Sequence, residues 1–339
     1  MRHSCTRRQL ILICALLFAA GRCHAETVDV ICSVREWCDV VRKAFTEATG
    51  IEVNMTTLGS DKTVDLLIEQ RERPKHDLWY GGTGEFHLQA AELRLTLPYR
   101  SPNNALLHDW GIKLAEQTGY RTNGLFSGPL QIVYNAKLLA SASVAPPRCW
   151  ADLLKPEYRN KIQLADPYGV YSVITTMVQL KGEDAAFEYL RKLHANIESY
   201  PATGLEALAN LGRGEAVIVI AFAYGASASL TAGQSVETAT PCEGTGYEIG
   251  GMSIIKGGPN PNGAKRFFDW ALTRQAQKLM STANQFQVPS NRSGGPDGRI
   301  VIPSATRLID YDFVRYGSLD ERKRLLDKWR RIVAEAPRR

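Results

Sequence analysis

The sequence has 339 residues, 44% hydrophobic and 22% charged, an ordinary globular composition that excludes disordered, collagenous and low-complexity chains. Its formal charge of +6 is uneven: residues 1–25 hold Arg2, Arg7, Arg8 and Arg22 and no acid, which leaves the other 314 residues at net +2. That balance is too small to indicate nucleic acid or another polyanion as a partner, and the length predicts two domains.

Residues 1–25 read as a cleavable secretory signal. Arg7 and Arg8 form a charged start, residues 10–20 an apolar run, and Cys23-His24-Ala25 a small-residue end suited to cleavage before Glu26. The run is shorter than the roughly 20 residues a bilayer span needs, so a periplasmic protein is expected rather than an anchored one. Arg22 stands where a lipobox would place Gly or Ala, against lipidation at Cys23. Four cysteines remain after cleavage: Cys32, Cys38, Cys149 and Cys242. In an oxidising compartment a bridge between Cys32 and Cys38 is expected, with two buried thiols as the alternative; whether Cys149 and Cys242 pair stays open.

In the mature chain, residues 28–32 are β-rich. Residues 36–49 follow as a helix, with Trp37, Val40, Val41, Ala44, Phe45 and Ala48 on one face and Gly50 placed to end it. Residues 51–56 alternate as a strand, 62–71 are helical, and 77–80 form a short strand running into Gly81-Gly82-Thr83-Gly84, with a helix to Leu93. This alternation predicts a parallel sheet with crossover helices. A second α/β unit follows. Strands are expected at 130–135, 216–223 and 246–256, and helices at 184–194, 205–211, 262–281 and 318–336. The continuous apolar run 216–223 suits a strand covered on both faces. Crossings between the halves are placed near residues 124–128 and 240–246.

Enzyme signatures are absent: no His-Glu-x-x-His, no Gly-x-Ser-x-Gly, and no Lys-Ser/Thr ending to the glycine-rich 258–263 stretch. The mature histidines, His76, His87, His108 and His194, lack ligand spacing, so neither a metal nor another cofactor is expected. What recurs is glycine with small hydroxyl residues at strand ends: Ser33, Gly81-Gly82-Thr83, Ser127-Gly128, Thr203-Gly204 and Gly244-Thr245-Gly246. In parallel α/β sheets ligands collect beyond the carboxyl ends of strands, where helix N-termini, glycine backbone and hydroxyls together make an anion site without net positive charge. Such loops on two lobes of an exported chain indicate a binding protein rather than a catalyst.

Several longer stretches carry a resemblance: Asp77-Leu-Trp-Tyr-Gly-Gly-Thr83, Ser127-Gly-Pro-Leu-Gln-Ile-Val-Tyr-Asn135, Cys149-Trp-Ala-Asp-Leu-Leu-Lys-Pro-Glu-Tyr158, Leu164-Ala-Asp-Pro167, Glu243-Gly-Thr-Gly-Tyr-Glu-Ile-Gly-Gly251, Asp269-Trp-Ala-Leu272 and Asn284-Gln-Phe-Gln-Val-Pro-Ser-Asn291. Across nearly the whole mature chain it resembles periplasmic solute-binding proteins of ABC importers, in the ferric-type branch (extracellular solute-binding family 1). The resemblance implies an α/β fold of two lobes joined by a hinge, closing on a ligand in the cleft and delivering it to a membrane permease. Iron-binding relatives carry a tyrosine pair where this chain has Ala223-Tyr224-Gly225, and relatives that bind sugar phosphates or phosphonates often show His-Asp at Tyr224-Gly225.

The expected function is capture of a small oxyanion (organophosphate, sugar phosphate or phosphonate) by a monomer that is not an enzyme. The alternatives are a ferric iron carrier and a periplasmic sensor for a histidine kinase. Lobe 1 is assigned residues 26–126 with 243–290 returning to it, and lobe 2 residues 127–242 with 291–339 packing mainly on it. The expected ligand-binding residues are Ser33, Gly82, Thr83 and Ser127 on one wall or at the hinge, Thr203, Gly204 and Tyr224 on the facing wall, and Glu243 near the crossing, where it would take hydroxyls or an amine. Tyr224 would hydrogen-bond or stack on the ligand, or simply pack, and Glu248 is read as structural.

Overall fold

The structure, a computed structural model, describes residues 26–294, 299 and 306–335; the signal segment lies outside them. The chain opens with β1 (Thr27–Cys32), α1 (Arg35–Thr49), β2 (Glu52–Thr57), α2 (Ser60–Glu69), β3 (Leu78–Thr83) and α3 (Gly84–Glu92). β1 is parallel to both β2 and β3, so α1 and α2 are crossovers. The apolar stripe of α1 sets its packing: Trp37, Val41 and Phe45 are wholly buried against Tyr80 and Phe267, and truncating Phe45 to Ala would cost about 3–5 kcal/mol. Gly50 ends the helix in the left-handed region and donates its N–H to the carbonyl of Thr46.

After β4 (Thr96–Leu97) and α4 (Asp109–Gln117) comes β5 (Asn123–Tyr134), buried along its whole length. Gly124, Gly128 and Pro129 argue for a turn in sequence, but here they lie inside a strand that changes neighbours. Its first half pairs antiparallel with β10 (Tyr247–Ile255) and its second half, from Leu130, with β8 (Ile218–Phe222). With β6 (Ile162–Leu164) and β7 (Ile197–Ser199), the strand order β2-β1-β3-β10-β5-β8-β6-β7 runs through both lobes, with β5 carrying the chain across and β10 bringing it back.

Lobe 2 holds α5 (Ala136–Ser141), β6 (Ile162–Leu164), α6 (Tyr168–Lys181), α7 (Glu183–His194), β7 (Ile197–Ser199), α8 (Gly204–Arg213), β8, α9 (Ala223–Thr231) and β9 (Glu237–Ala239). β6 is parallel to β7 and β8. After β10 follow α10 (Pro261–Ala271), α11 (Arg274–Thr282), β11 (Val288–Pro289), α12 (Phe313–Gly317) and α13 (Leu319–Trp329). The expected single helix over 262–281 is two, because the Thr273 hydroxyl accepts from the N–H of Ala276 at 3.2 Å and starts a new N-terminus. Leu325, Leu326 and Trp329 of α13 join Tyr171, Ile174, Phe187 and Leu190 in the core of lobe 2. Disulfides join Cys32 to Cys38 and Cys149 to Cys242.

Candidate functional site

A cavity of about 280 Å³ lies between the lobes. Thr83, Gly84 and Glu85 contribute from the β3–α3 junction of lobe 1. Lobe 2 contributes the starts of α6 (Tyr168, Gly169), α8 (Thr203, Gly204, Leu205) and α9 (Tyr224, Gly225). Gly246 to Ile249 of the returning crossing and Tyr311, Phe313 and Tyr316 of the C-terminal segment complete the wall.

Four helices, α3, α6, α8 and α9, thus begin at one cavity, and each is at least nine residues long. The first turn of a helix presents N–H groups without intrahelical acceptors and the positive end of the macrodipole. The Thr83 hydroxyl does not cap α3, whereas its backbone N–H donates to Ser60 Oγ at 3.1 Å. The Thr203 hydroxyl caps α8 by accepting from the N–H of Glu206 at 3.1 Å. Nothing lies within 4 Å of a Cβ built on Gly204, which faces open space.

The charged side chains of the lining are both acidic: Glu85 and Glu248. Glu85 is paired with Arg322 of α13, whose guanidinium also sits 4.5 Å over the ring of Tyr171 and 5.4 Å over that of Tyr168. Burial outweighs this partner and leaves the Glu85 carboxyl raised. Glu248 is pushed up to about 7, chiefly by burial; a hydrogen bond from the Tyr224 phenol opposes the rise and the charge of Glu85 adds to it. Tyr224 is raised well above the usual phenol range by burial and by Glu248. Its ring abuts Gly128, where a Cβ would come within 2.8 Å of the ring edge, and is stacked on Phe222 at 5.7 Å.

Of the residues expected to bind ligand, Thr83, Thr203, Gly204 and Tyr224 are brought together here. Ser33 and Gly82 stand beside Thr83 but outside the lining. The Ser33 hydroxyl accepts from the indole N–H of Trp79 at 2.8 Å. Gly82, at φ +90°, leaves only enough room for Ser60 and Ser33, since a Cβ would lie 2.3 Å from Ser60 Oγ. Ser127 is buried within β5 between Ile249 and Val288. Glu243 is also outside the lining: its carboxylate accepts from the N–H groups of Trp150 at 2.8 Å and Ala151 at 2.9 Å, at the start of the 3₁₀ turn Trp150–Leu154.

The crossing does bring a carboxylate to the cavity, but it is Glu248, five residues beyond Glu243, for which the sequence predicts a structural role. Its position two residues past the Gly244-Thr245-Gly246 turn, at the start of β10, is the signal that could have found it. Tyr224 is the one tyrosine among the expected ligand-binding residues, whereas Tyr168, Tyr247, Tyr311 and Tyr316 line the cavity with it. His87 is a satisfied core group, stacked on Trp79 at 3.6 Å and bonded to Ser253 Oγ and the Gly81 carbonyl; burial depresses it to about 3.

Two α/β lobes spanned by β5 and β10, with helix N-termini converging on the cavity between them, define a two-lobed solute-binding protein. A family model described as bacterial extracellular solute-binding protein matches residues 73–316, and the chain belongs to that family. It is the solute-binding component of an ABC importer, taking a small ligand to a membrane permease. It is 34% identical over 325 residues to an uncharacterised protein of Haemophilus influenzae, with 94% of each chain covered. A structure of the periplasmic binding protein AfuA from Actinobacillus pleuropneumoniae, with exogenous fructose-6-phosphate bound, is similar at a TM-score of 0.82 and 34% identity, covering 92% of this chain and 99% of that one. A Salmonella typhimurium periplasmic protein provisionally described as binding 2-aminoethylphosphonate is 26% identical over 296 residues, 80% of this chain and 82% of its own. No described helix is long and apolar enough to cross a membrane.

Proposed function

We propose that the cleft captures a small oxyanionic solute, an organophosphate, sugar phosphate or phosphonate, by closure of the lobes. The observation that carries this reading is the convergence of four helix N-termini on one cavity, with the Thr83 and Thr203 hydroxyls beside them. The fructose-6-phosphate of AfuA and the phosphonate of the Salmonella protein belong to the same chemical class. Thr83, Thr203, Gly204 and Tyr224 are the contacts we assign from the sequence, and Glu85 and Glu248 are added from the structure. Hydroxyls or an ammonium elsewhere on the ligand suit the acidic wall. We assign residues 26–126 with 243–290 to lobe 1 and 127–242 with 291–339 to lobe 2; the change of partner within β5, from β10 to β8 between Pro129 and Leu130, supports a crossing close to the first boundary. Export by cleavage before Glu26, a monomeric state and a role without turnover complete the reading.

The test is native mass spectrometry of protein purified without refolding, followed by thermal melting with fructose 6-phosphate, 2-aminoethylphosphonate and inorganic phosphate. A retained phosphate-bearing mass, or stabilisation by about 2.7 kcal/mol at a hundredfold excess over Kd, is the expected result. Chloride at matched ionic strength should not reproduce it. A panel without any shift beyond that of chloride would overturn the reading.

A further inference from the structure

If the cavity takes an oxyanion, its wall sets a problem in charge. Among the described residues no Lys, Arg or His lines it, while two carboxylates do. Glu85 has its counter-ion in Arg322, which stands behind it. Glu248 has none. Facing it are the Glu85 carboxylate from α3 and the Tyr224 phenol from α9. The remaining titratable groups of the lining are the phenols of Tyr168, Tyr247, Tyr311 and Tyr316, and β5 contributes only Leu130. An anion drawn in by the helix N-termini therefore also meets the Glu248 charge, which no side-chain cation of the described lining offsets, in low dielectric, where repulsion is far stronger than in water.

Resting on the oxyanion reading, we propose that Glu248 makes capture proton-coupled: the cavity takes up the oxyanion together with one proton from solvent, and the proton resides on the Glu248 carboxyl. The neutral acid can donate its O–H toward a ligand oxygen while its carbonyl oxygen still accepts from Tyr224. One group then changes from a repelling charge to a donor, with no side-chain cation needed. The position of Glu248 near 7 makes this protonation inexpensive at neutral pH, and burial is its main cause. The consequence for the protein is selectivity by charge and acidity of the medium: the site binds most tightly on the acid side of neutrality and releases anions on the alkaline side.

The test is isothermal titration of the whole mature protein with fructose 6-phosphate at pH 8 in two buffers of different ionisation enthalpy, which counts protons directly. Binding is then followed from pH 6 to 8.5. Wild type should take up close to one proton per ligand at pH 8, and its Kd should rise about tenfold per pH unit above pH 7.5. The ligand's own second ionisation, near 6, is common to all variants. Glu248→Gln should take up no proton at pH 8 and lose the alkaline slope. Tyr224→Phe, which removes a bond favouring the charged carboxylate, should reduce uptake at pH 7.5 because more of the free protein is already protonated. Binding without proton uptake by wild type, or equal uptake by Glu248→Gln, overturns the proposal and leaves the oxyanion reading standing. No binding of fructose 6-phosphate, 2-aminoethylphosphonate or phosphate at any pH overturns both.

Discussion

Arg322 of α13 and Glu85 in the first turn of α3 form an ion pair in which both side chains are largely buried, at 12% and 20% exposure. α13 packs in the core of lobe 2 and α3 on the sheet of lobe 1, so one pair ties the C-terminal segment across the cleft. Removing one partner of such a pair strands the other charge, typically at a cost of about 3–5 kcal/mol. Arg322→Ala should therefore lower the urea midpoint strongly, and adding Glu85→Gln to it should restore part of the loss. If Arg322→Ala unfolds within about 0.5 kcal/mol of wild type, the pair contributes nothing to stability.

The lobes and their alternating strands and helices were legible because α1, α7 and α8 carry one-sided apolar stripes and β8 is an unbroken apolar run. α6 escaped notice for the opposite reason. It is buried on most of its surface and rich in β-branched Val170, Val173, Ile174, Thr175 and Thr176, so neither periodicity nor propensity marks it as a helix. Its N-terminus supplies part of the cavity, and that part was missed with it. Glu243 illustrates the limit for single residues: it stands next to a glycine turn, but its carboxylate accepts from the N–H groups of Trp150 and Ala151 rather than facing the cavity.

Glu243 offers a direct check. Glu243→Ala leaves the N–H groups of Trp150 and Ala151 without their acceptor, a loss of about 1–3 kcal/mol in stability. Affinity for a phosphate ligand should stay within twofold of wild type in a titration. A large loss of affinity with unchanged melting would return Glu243 to the binding site.

The two disulfides should differ in their contribution. On the chain-entropy model the Cys149–Cys242 bridge, closing a sequence separation of 93, contributes about 4.7 kcal/mol, and the Cys32–Cys38 bridge, with a separation of 6, about 2.4 kcal/mol. Thiol titration of the exported protein in denaturant should find no free thiol. Replacing the Cys149–Cys242 pair by serines should lower stability more than replacing Cys32 and Cys38. Four free thiols would dismiss both bridges.

Ferric iron wants phenolate and carboxylate oxygens that converge. The cavity has tyrosines, but Tyr311 donates to Thr175 Oγ1 at 2.7 Å and Tyr224 to Glu248, and burial raises both phenols far above their usual range. Among the described residues, the group of His, Cys, Asp or Glu spaced for a metal is Cys149, Cys242 and Glu243, whose two sulfurs are joined to each other. Ferric citrate should produce no stoichiometric visible band. A band abolished by Tyr224→Phe would establish an iron site.

Glu248 also predicts a stability profile for the ligand-free protein. Its carboxyl titrates near 7 when folded and near 4.3 when unfolded, so the folded state binds the extra proton between those values. The linked stability is complete below about pH 4.3 and is lost as pH rises through about 7. Other groups oppose it: Glu183, held near 2 by Arg324 and Lys328, loses stability in acid instead. The difference between wild type and Glu248→Gln isolates the one carboxyl, and it should decline from pH 5 to pH 8. A flat difference across that range would show that Glu248 titrates normally.

The two threonines of the cavity should separate binding from folding. The Thr83 hydroxyl makes no cap bond, so Thr83→Ala removes only what the hydroxyl offers a ligand. A hydrogen bond to a charged group is worth about 1.5–3 kcal/mol, or about ten- to a hundredfold in affinity, and the ligand-free melting point should hardly move. The Thr203 hydroxyl, by contrast, accepts from Glu206 N–H and starts α8. Thr203→Ala should therefore cost about 1 kcal/mol of stability as well as affinity, while Thr203→Ser, which keeps the oxygen, should recover both. Melting curves and titrations of the three variants decide between the roles. If Thr83→Ala lowers the ligand-free melting point and leaves affinity intact, the β3–α3 junction is only a turn, and the anion is held by lobe 2 alone.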